Sequence, residues 1–361
     1  MGFQFLPGRR EPDGDPRILY FEGISFKRRF IVVMGVLAVV ATVLSFAVGA
    51  YHIDFAETYR IIWDYITTGP EGTINERVVW ELRVPRGLMA LFVGGGLAAA
   101  GCVMQSMLRN PLADPYTTGV SSGAGLGATI AIVLGISIIP FGDTVSVISN
   151  AFLMSLIPAA IILAISSMKR ITSTSMILVG IGVMFVFGAC TQMLKLIATP
   201  TQMEELYRWQ LGSLSECSLG EAGIVAVAVV LCIFALYRYK NHLNLLSIGD
   251  DSALTMGVDP WRTRVVCLVI VSFMTAVVVS FTGTIGFVGL VAPQMVRTFI
   301  GADNRYLLPA SMMFGAAFLV ACDVISRMIG VGGIPVGVVT AIIGSPIFLY
   351  LLVKRSRKPT I

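Results

Sequence analysis

From about residue 30 to residue 353 the chain alternates long apolar runs with short polar breaks. Many of the runs reach roughly 18 residues or more, the length an α-helix needs to cross a hydrocarbon layer about 30 Å thick. They are continuous apolar blocks, without the two-residue alternation of a membrane barrel strand. The pattern predicts an all-α, polytopic membrane protein of about ten transmembrane helices. Their expected spans are roughly 30–50, 84–108, 117–139, 147–168, 175–198, 221–237, 265–282, 285–300, 307–329 and 335–353, the eighth being short and carrying Pro293. Residues 1–29 read as a polar, basic, mobile tail, and 354–361 as a basic C-terminus. The first run is long and lacks a small-residue cleavage site, so it reads as a true span and not as a signal peptide. Three polar segments break the pattern: 52–81 and 199–220, each with room for a short helix, and the long segment 238–264.

Composition agrees with this reading. Of the 361 residues, 56% are hydrophobic and 13% charged, with a mean hydropathy of +0.83; soluble domains carry about 25% charged residues. Ten spans place both termini on one side. With the termini cytoplasmic, 19 of the 26 Lys and Arg fall in inside segments and 7 in outside ones, so the positive-inside rule favours that orientation.

Charge within the spans is nearly absent. Asp323 and Arg327, four apart in the ninth span, are the exceptions. They read either as an ion pair near the outer helix end or as a functional pair. No line of carboxylates or histidines crosses the membrane, which argues against a proton- or sodium-driven carrier, and no nucleophile with a base marks a membrane hydrolase. Five of the six cysteines lie in apolar runs and read as small helix residues; the two histidines, His52 and His242, are far apart and give no metal site. No G-x-x-x-x-G-K-[ST] loop is present, so any ATP would act on another chain. Gly119, Gly123 and Gly127 place three small residues on one face of the third span, where another helix can approach closely.

Two polar stretches carry candidate chemistry. Arg83 and Arg86 straddle Pro85 at the outer start of the second span, and read either as an exposed anion-attracting patch or as arginines snorkelling to headgroups. Segment 245–260 interleaves apolar and polar residues. Asp250 suits a helix cap and Gly257 a helix end, so two short helices on the cytoplasmic face are expected, serving either as a dock for an external motor or as an ordinary interface loop.

Several stretches together resemble the permease subunits of binding-protein-dependent ABC importers for iron-siderophores, haem and vitamin B12, the type II importers. They are RVPR (83–86), GCVMQSMLRNPLADP (101–115), TGVSSGAGLG (118–127), TSTSMILVGIG (172–182), YRWQLGSL (207–214), LNLLSIGDDSALTMGVD (243–259), GTIGFVGLVAPQMVR (283–297), LLPASMMFGA (307–316) and GGIPVGVVTAIIGSPIFLYLL (332–352). The resemblance implies a ten-helix permease domain over 30–353 that forms a homodimer. Two ATPase subunits would dock inside and a substrate-binding protein outside, with ATP held by the partner and no cofactor or nucleic acid on this chain. It implies binding-protein docking by Arg83, Arg86 and Arg327. It also implies a cytoplasmic gate at Asn110, Leu112, Ser173 and Thr174, and ATPase coupling by Leu246, Gly249, Asp250, Ala253, Met256 and Gly257. The expected function is inward passage of a bulky metal chelate by alternating access through the cell membrane, iron(III)-siderophore first, with haem or cobalamin as the alternative. The tail 1–29 is longer and more polar than the family pattern, and no motif in it carries a mechanism.

Overall fold

The computed structural model describes residues 16–49, 51–139, 142–168, 172–330 and 333–356. Among these no strand occurs. Helices α1 (Pro16–Ala47), α2 (Phe55–Thr67) and α3 (Ile74–Arg77) lead through a π-helical turn, Val78–Arg83, into α4 (Val84–Leu108). A 3-10 turn at Pro115–Thr118 precedes α5 (Val120–Leu134). Then come α6 (Asp143–Met168), α7 (Ser173–Lys195), α8 (Pro200–Leu211) and α9 (Leu219–Arg238). Two short helices, α10 (Lys240–Ile248) and α11 (Asp250–Thr255), precede α12 (Pro260–Thr282), α13 (Val288–Ile300), α14 (Asn304–Met328) and α15 (Val336–Ser356).

The ten apolar runs appear as eight helical stretches long and apolar enough to cross a membrane and two shorter helices, α5 and α13. At 1.5 Å per residue the 15 residues of α5 and the 13 of α13 rise only about 20 Å each. The third run is shorter than its apolar length suggests. Pro115 and Asp114 start a 3-10 turn at one end, and Gly135, with φ 65°, stops the helix at the other. The helix expected to begin near residue 30 is already formed at Pro16. Phe26 and Phe30 pack on the core, and Phe30 stacks on Phe299 with centroids 5.8 Å apart. Residues 1–15 of the expected tail, and 357–361 of the expected basic C-terminus, lie outside the described residues.

Helix α4 is the axis of the fold. It is buried along nearly its whole length and packs against α1, α9, α12, α13 and α14. Its small residues permit this. Between lipid-immersed helices the apolar effect is weak, and close backbone approach supplies the attraction. Gly94 backs onto the Gly315 carbonyl of α14, and Gly101 onto the Gly289 carbonyl of α13, with no room for a Cβ at either. Helices α5, α6 and α7 form a second group, joined to the first through α12 and α6. Gly123 and Gly127 lie against the α6 backbone at Met154–Ser155 and Asn150–Ala151. Gly119 also lies against α6, at Pro158, but from outside the helix. It precedes α5 as a left-handed residue, φ 82°, that closes the 3-10 turn.

Candidate functional site

At the face formed by α2 and α3, Arg83 and Arg327 converge on the end of α1, and Arg86 joins Arg327 at Asp323. The C-terminal carbonyls of α1 have no partner within the helix, and its last turn holds no basic side chain. Arginines from elsewhere supply the donors. Arg83 Nη1 donates to the carbonyls of Phe46 and Ala47 at 3.3 and 3.0 Å, and Nη2 to that of Tyr51. Arg327 Nη1 donates to the carbonyls of Ser45 and Val48 at 3.1 and 3.2 Å. The fully buried Asp323 carboxylate accepts from Arg327 Nη2 with one oxygen and from Arg86 Nε, at 2.7 Å, with the other. Arg86 Nη2 also reaches Ser326 Oγ at 3.0 Å.

The exposed arginine patch expected from the RVPR stretch is therefore corrected: Arg83 is 4% and Arg327 6% exposed, and Arg86 is largely covered. The cause is local. The π-helical turn lets the chain accommodate Pro85, whose ring would clash in a regular helix, and it aims Arg83 at α1. Asp323 and Arg327 do form the pair expected from their spacing, but as a buried triad with Arg86 and not as a helix-surface pair.

At the opposite face lie α10, α11 and the break after α4. Arg109 ends α4 in the left-handed region, φ 53°. Asn110 Oδ1 then accepts from the Leu112 amide at 2.9 Å, and the Asn110 carbonyl from the Ala113 amide at 3.1 Å, so the break is a fixed turn. Leu112 is 49% exposed at its tip. Ser173 is buried in the first turn of α7 and Thr174 beside it is exposed. Helix α7 meets the end of the break through Gly180, which abuts Thr117 and Thr118.

The two short helices expected in 238–264 are α10 and α11. Leu246 and Ala253 are fully buried and anchor them, while Ile248, Leu254 and Met256 turn apolar side chains outward. Gly257, φ 80°, ends α11: its amide donates to the Leu254 carbonyl and the Val258 amide to that of Ala253, a Schellman pair of bonds. Asp250 does not cap α11, because Gly249 holds the cap position. Its carboxylate instead faces Arg264, accepting from Nη1 and Nη2 at 2.8 and 2.7 Å. The Arg264 bond holds this carboxyl below the usual carboxylate range. Arg109 Nη2 lies 3.6 Å from the same carboxylate.

The spacing rules missed a set of lone polar residues at this end. Gln105 donates to the Leu290 carbonyl, and Gln294 donates to both Gln105 Oε1 and the Pro111 carbonyl, at 3.0 and 2.9 Å. Asn304 accepts from Ser106 Oγ at 2.9 Å and donates to Asn244 Oδ1. Gln105 and Gln294, single polar residues in apolar runs, carried a signal, whereas Asn244 and Asn304 lie in polar breaks and carried none.

The sequence matches the FecCD transport family over residues 37–354, and the chain belongs to that family. It is 36% identical over 275 residues to an iron chelatin transport system permease protein of Helicobacter pylori, covering 76% of this chain and 82% of that one. It is 39% identical over 279 residues to a cobalamin import system permease protein of Halobacterium salinarum, covering 77% and 74%. A solved structure described as an inward-facing metal-chelate type ABC transporter superposes with a TM-score of 0.79 at 28% identity, covering 91% of this chain and 99% of that one. The fold is thus that of a type II ABC importer permease, and the chain is a multi-pass, non-enzymatic permease of the family that serves metal chelates, haem and vitamin B12.

Proposed function

We propose that this chain is the membrane half of an ATP-driven importer that carries iron(III)-siderophore inward, working as a homodimer in the cell membrane with both termini cytoplasmic. The observation that carries the reading is the α10–α11 pair: seated by buried Leu246 and Ala253, yet with Ile248, Leu254 and Met256 exposed. Isolated exposed apolar residues are ordinary, but three together on one short helical pair suit a protein partner. Two ATPase subunits dock there, with Gly249 and Gly257 setting the bends. The break at Asn110 and Leu112 and the start of α7 at Ser173 and Thr174 form the inner gate. The substrate-binding protein docks on the α2–α3 face, where its carboxylates take over from the internal partners of Arg83, Arg86 and Arg327.

Iron chelatin in the name of the Helicobacter pylori relative favours the siderophore, and cobalamin in that of the Halobacterium salinarum relative supports a corrinoid as the second reading. The absorption spectrum of the ligand carried by the partner binding protein separates them. A ferric-siderophore charge-transfer band is the expected result; a haem or corrinoid spectrum would overturn the substrate assignment and leave the importer reading intact.

A further inference from the structure

Two polar clamps, one from each short helix, end on neighbouring residues of a single turn. From α11, Asp250 holds Arg264 through two hydrogen bonds, and Arg264 Nε donates to the Met107 carbonyl at 3.1 Å. Arg109 approaches the same carboxylate. From α10, Asn244 Oδ1 accepts from the Asn304 backbone and side-chain amides at 2.7 and 2.9 Å, its Nδ2 donates to Asp303 at 2.8 Å, and Asn304 in turn accepts from Ser106. Ser106 and Met107 belong to the last turn of α4 and Arg109 caps it, immediately before the break at Asn110. On the other side of that turn, Gln294 of α13 ties Gln105 to Pro111 across the break.

We infer that the last turn of α4, Gln105 to Arg109, is the junction through which movement of α10 and α11 reaches the 110–115 break, and that Asn244 and Asp250 are its two positioning residues. This rests on the reading that the ATPases act on α10–α11. Arg264 is 4% exposed and Asn304 fully buried, so each clamp has one end held away from water, although Asp250 itself is 36% exposed. The Asp250–Arg264 contact is a charge-assisted fork with fixed geometry, which transmits rotation as well as translation. A shift of either short helix therefore displaces the α4 turn, and Arg109, where the helix already ends, is the point at which that displacement passes into the break. Gln294 carries α13 with it.

The test uses the full chain assembled with its ATPases in lipid vesicles, with exposed Cys190 replaced by Ser and Leu112→Cys as reporter. In this parent, ATP changes the rate of thiol labelling at residue 112. With Asn244→Ala the nucleotide-induced change is expected to shrink at least about fivefold, while the ATPases still co-purify and hydrolyse ATP, and Asp250→Ala is expected to shrink it likewise. Asp250→Glu restores the change; Asp250→Asn, which keeps one acceptor for Arg264, gives an intermediate value and serves if the alanine variants do not fold. A full response in folded Asp250→Asn and Asn244→Ala chains would overturn the junction. Met256→Cys cross-linking to the ATPase tests the reading beneath it: no cross-link in any nucleotide state would overturn both, whereas cross-linking with an unaltered Leu112→Cys response overturns the junction alone.

Discussion

The Asp250 carboxylate and the Arg264 guanidinium face each other across two hydrogen bonds of 2.7 and 2.8 Å, joining the short helix α11 to the start of α12. Arg264→Lys keeps the charge but loses the fork and the third donor, leaving the Met107 carbonyl without its partner. The expected cost is about 1–3 kcal/mol, read as a lower Tm of the purified chain. Because Asp250 lies below its ordinary value of 3.8 in the folded chain, the contribution of the pair is full above that value and is lost as pH falls through the lowered one. The Tm difference between parent and variant therefore narrows in acid below about pH 3.8.

At the other face, two arginines that the resemblance treats alike are expected to fail differently. Arg327→Ala removes donors from the Ser45 and Val48 carbonyls and leaves buried Asp323 with Arg86 alone. Hydrogen exchange at residues 45–49 should accelerate, with a loss of about 3 kcal/mol or more in stability. Arg86→Gln retains a donor for Asp323 but loses the charge. The chain should stay folded, and the binding protein should dock at least about tenfold more weakly, a change of about 1.4 kcal/mol. Unchanged docking by a folded Arg86→Gln chain contradicts the docking assignment.

What the sequence disclosed follows from the range of the forces involved. Apolar length set the number and order of the helices, and local turn chemistry placed the end of α11 at Gly257, because both depend on neighbours in the chain. The fate of the arginines did not follow. Arg83 lies 36 or more residues from the α1 carbonyls it reaches and Arg327 about 280 from its own, and their burial depends on where α1 stops. Asp250 looked like a cap by residue type; its partner Arg264 belongs to the next helix, and a carboxylate that can reach a buried guanidinium gains more there than at a helix end. The polar links at Gln105, Asn244 and Asn304 give no periodic signal at all.

The packing of α4 makes a sharp contrast between glycines. A Cβ on Gly101 would collide with the Gly289 backbone carbonyl, which belongs to a packed helix and has little room to yield. Gly101→Ala should therefore abolish folded protein or cost several kcal/mol, about 3 or more. Gly223 of α9 meets nothing within 4 Å. Gly223→Ala should be neutral or stabilising by up to about 1 kcal/mol. Yield and Tm measured side by side check both.

Asp114 opens the 3-10 turn that follows the break, accepting from the Thr117 amide at 2.9 Å. Burial lifts its carboxyl from 3.8 to about 6. The folded chain thus retains a proton that the unfolded chain releases. This stabilisation is full below about pH 4 and is lost as pH rises through about 6. Asp114→Asn, which keeps the acceptor without the charge, should be at least as stable as the parent at pH 7. It should also lose the decline in Tm between pH 4 and 6 that Asp114 contributes.

Uptake into vesicles is the most direct measurement. The chain is reconstituted with its ATPase subunits, ATP is enclosed inside, and the chelate-loaded binding protein is supplied outside. Accumulation of the chelate is predicted to require all three, and to stop when ATP is replaced by a non-hydrolysable analogue. Uptake that continues without the ATPase subunits or without nucleotide would contradict the account.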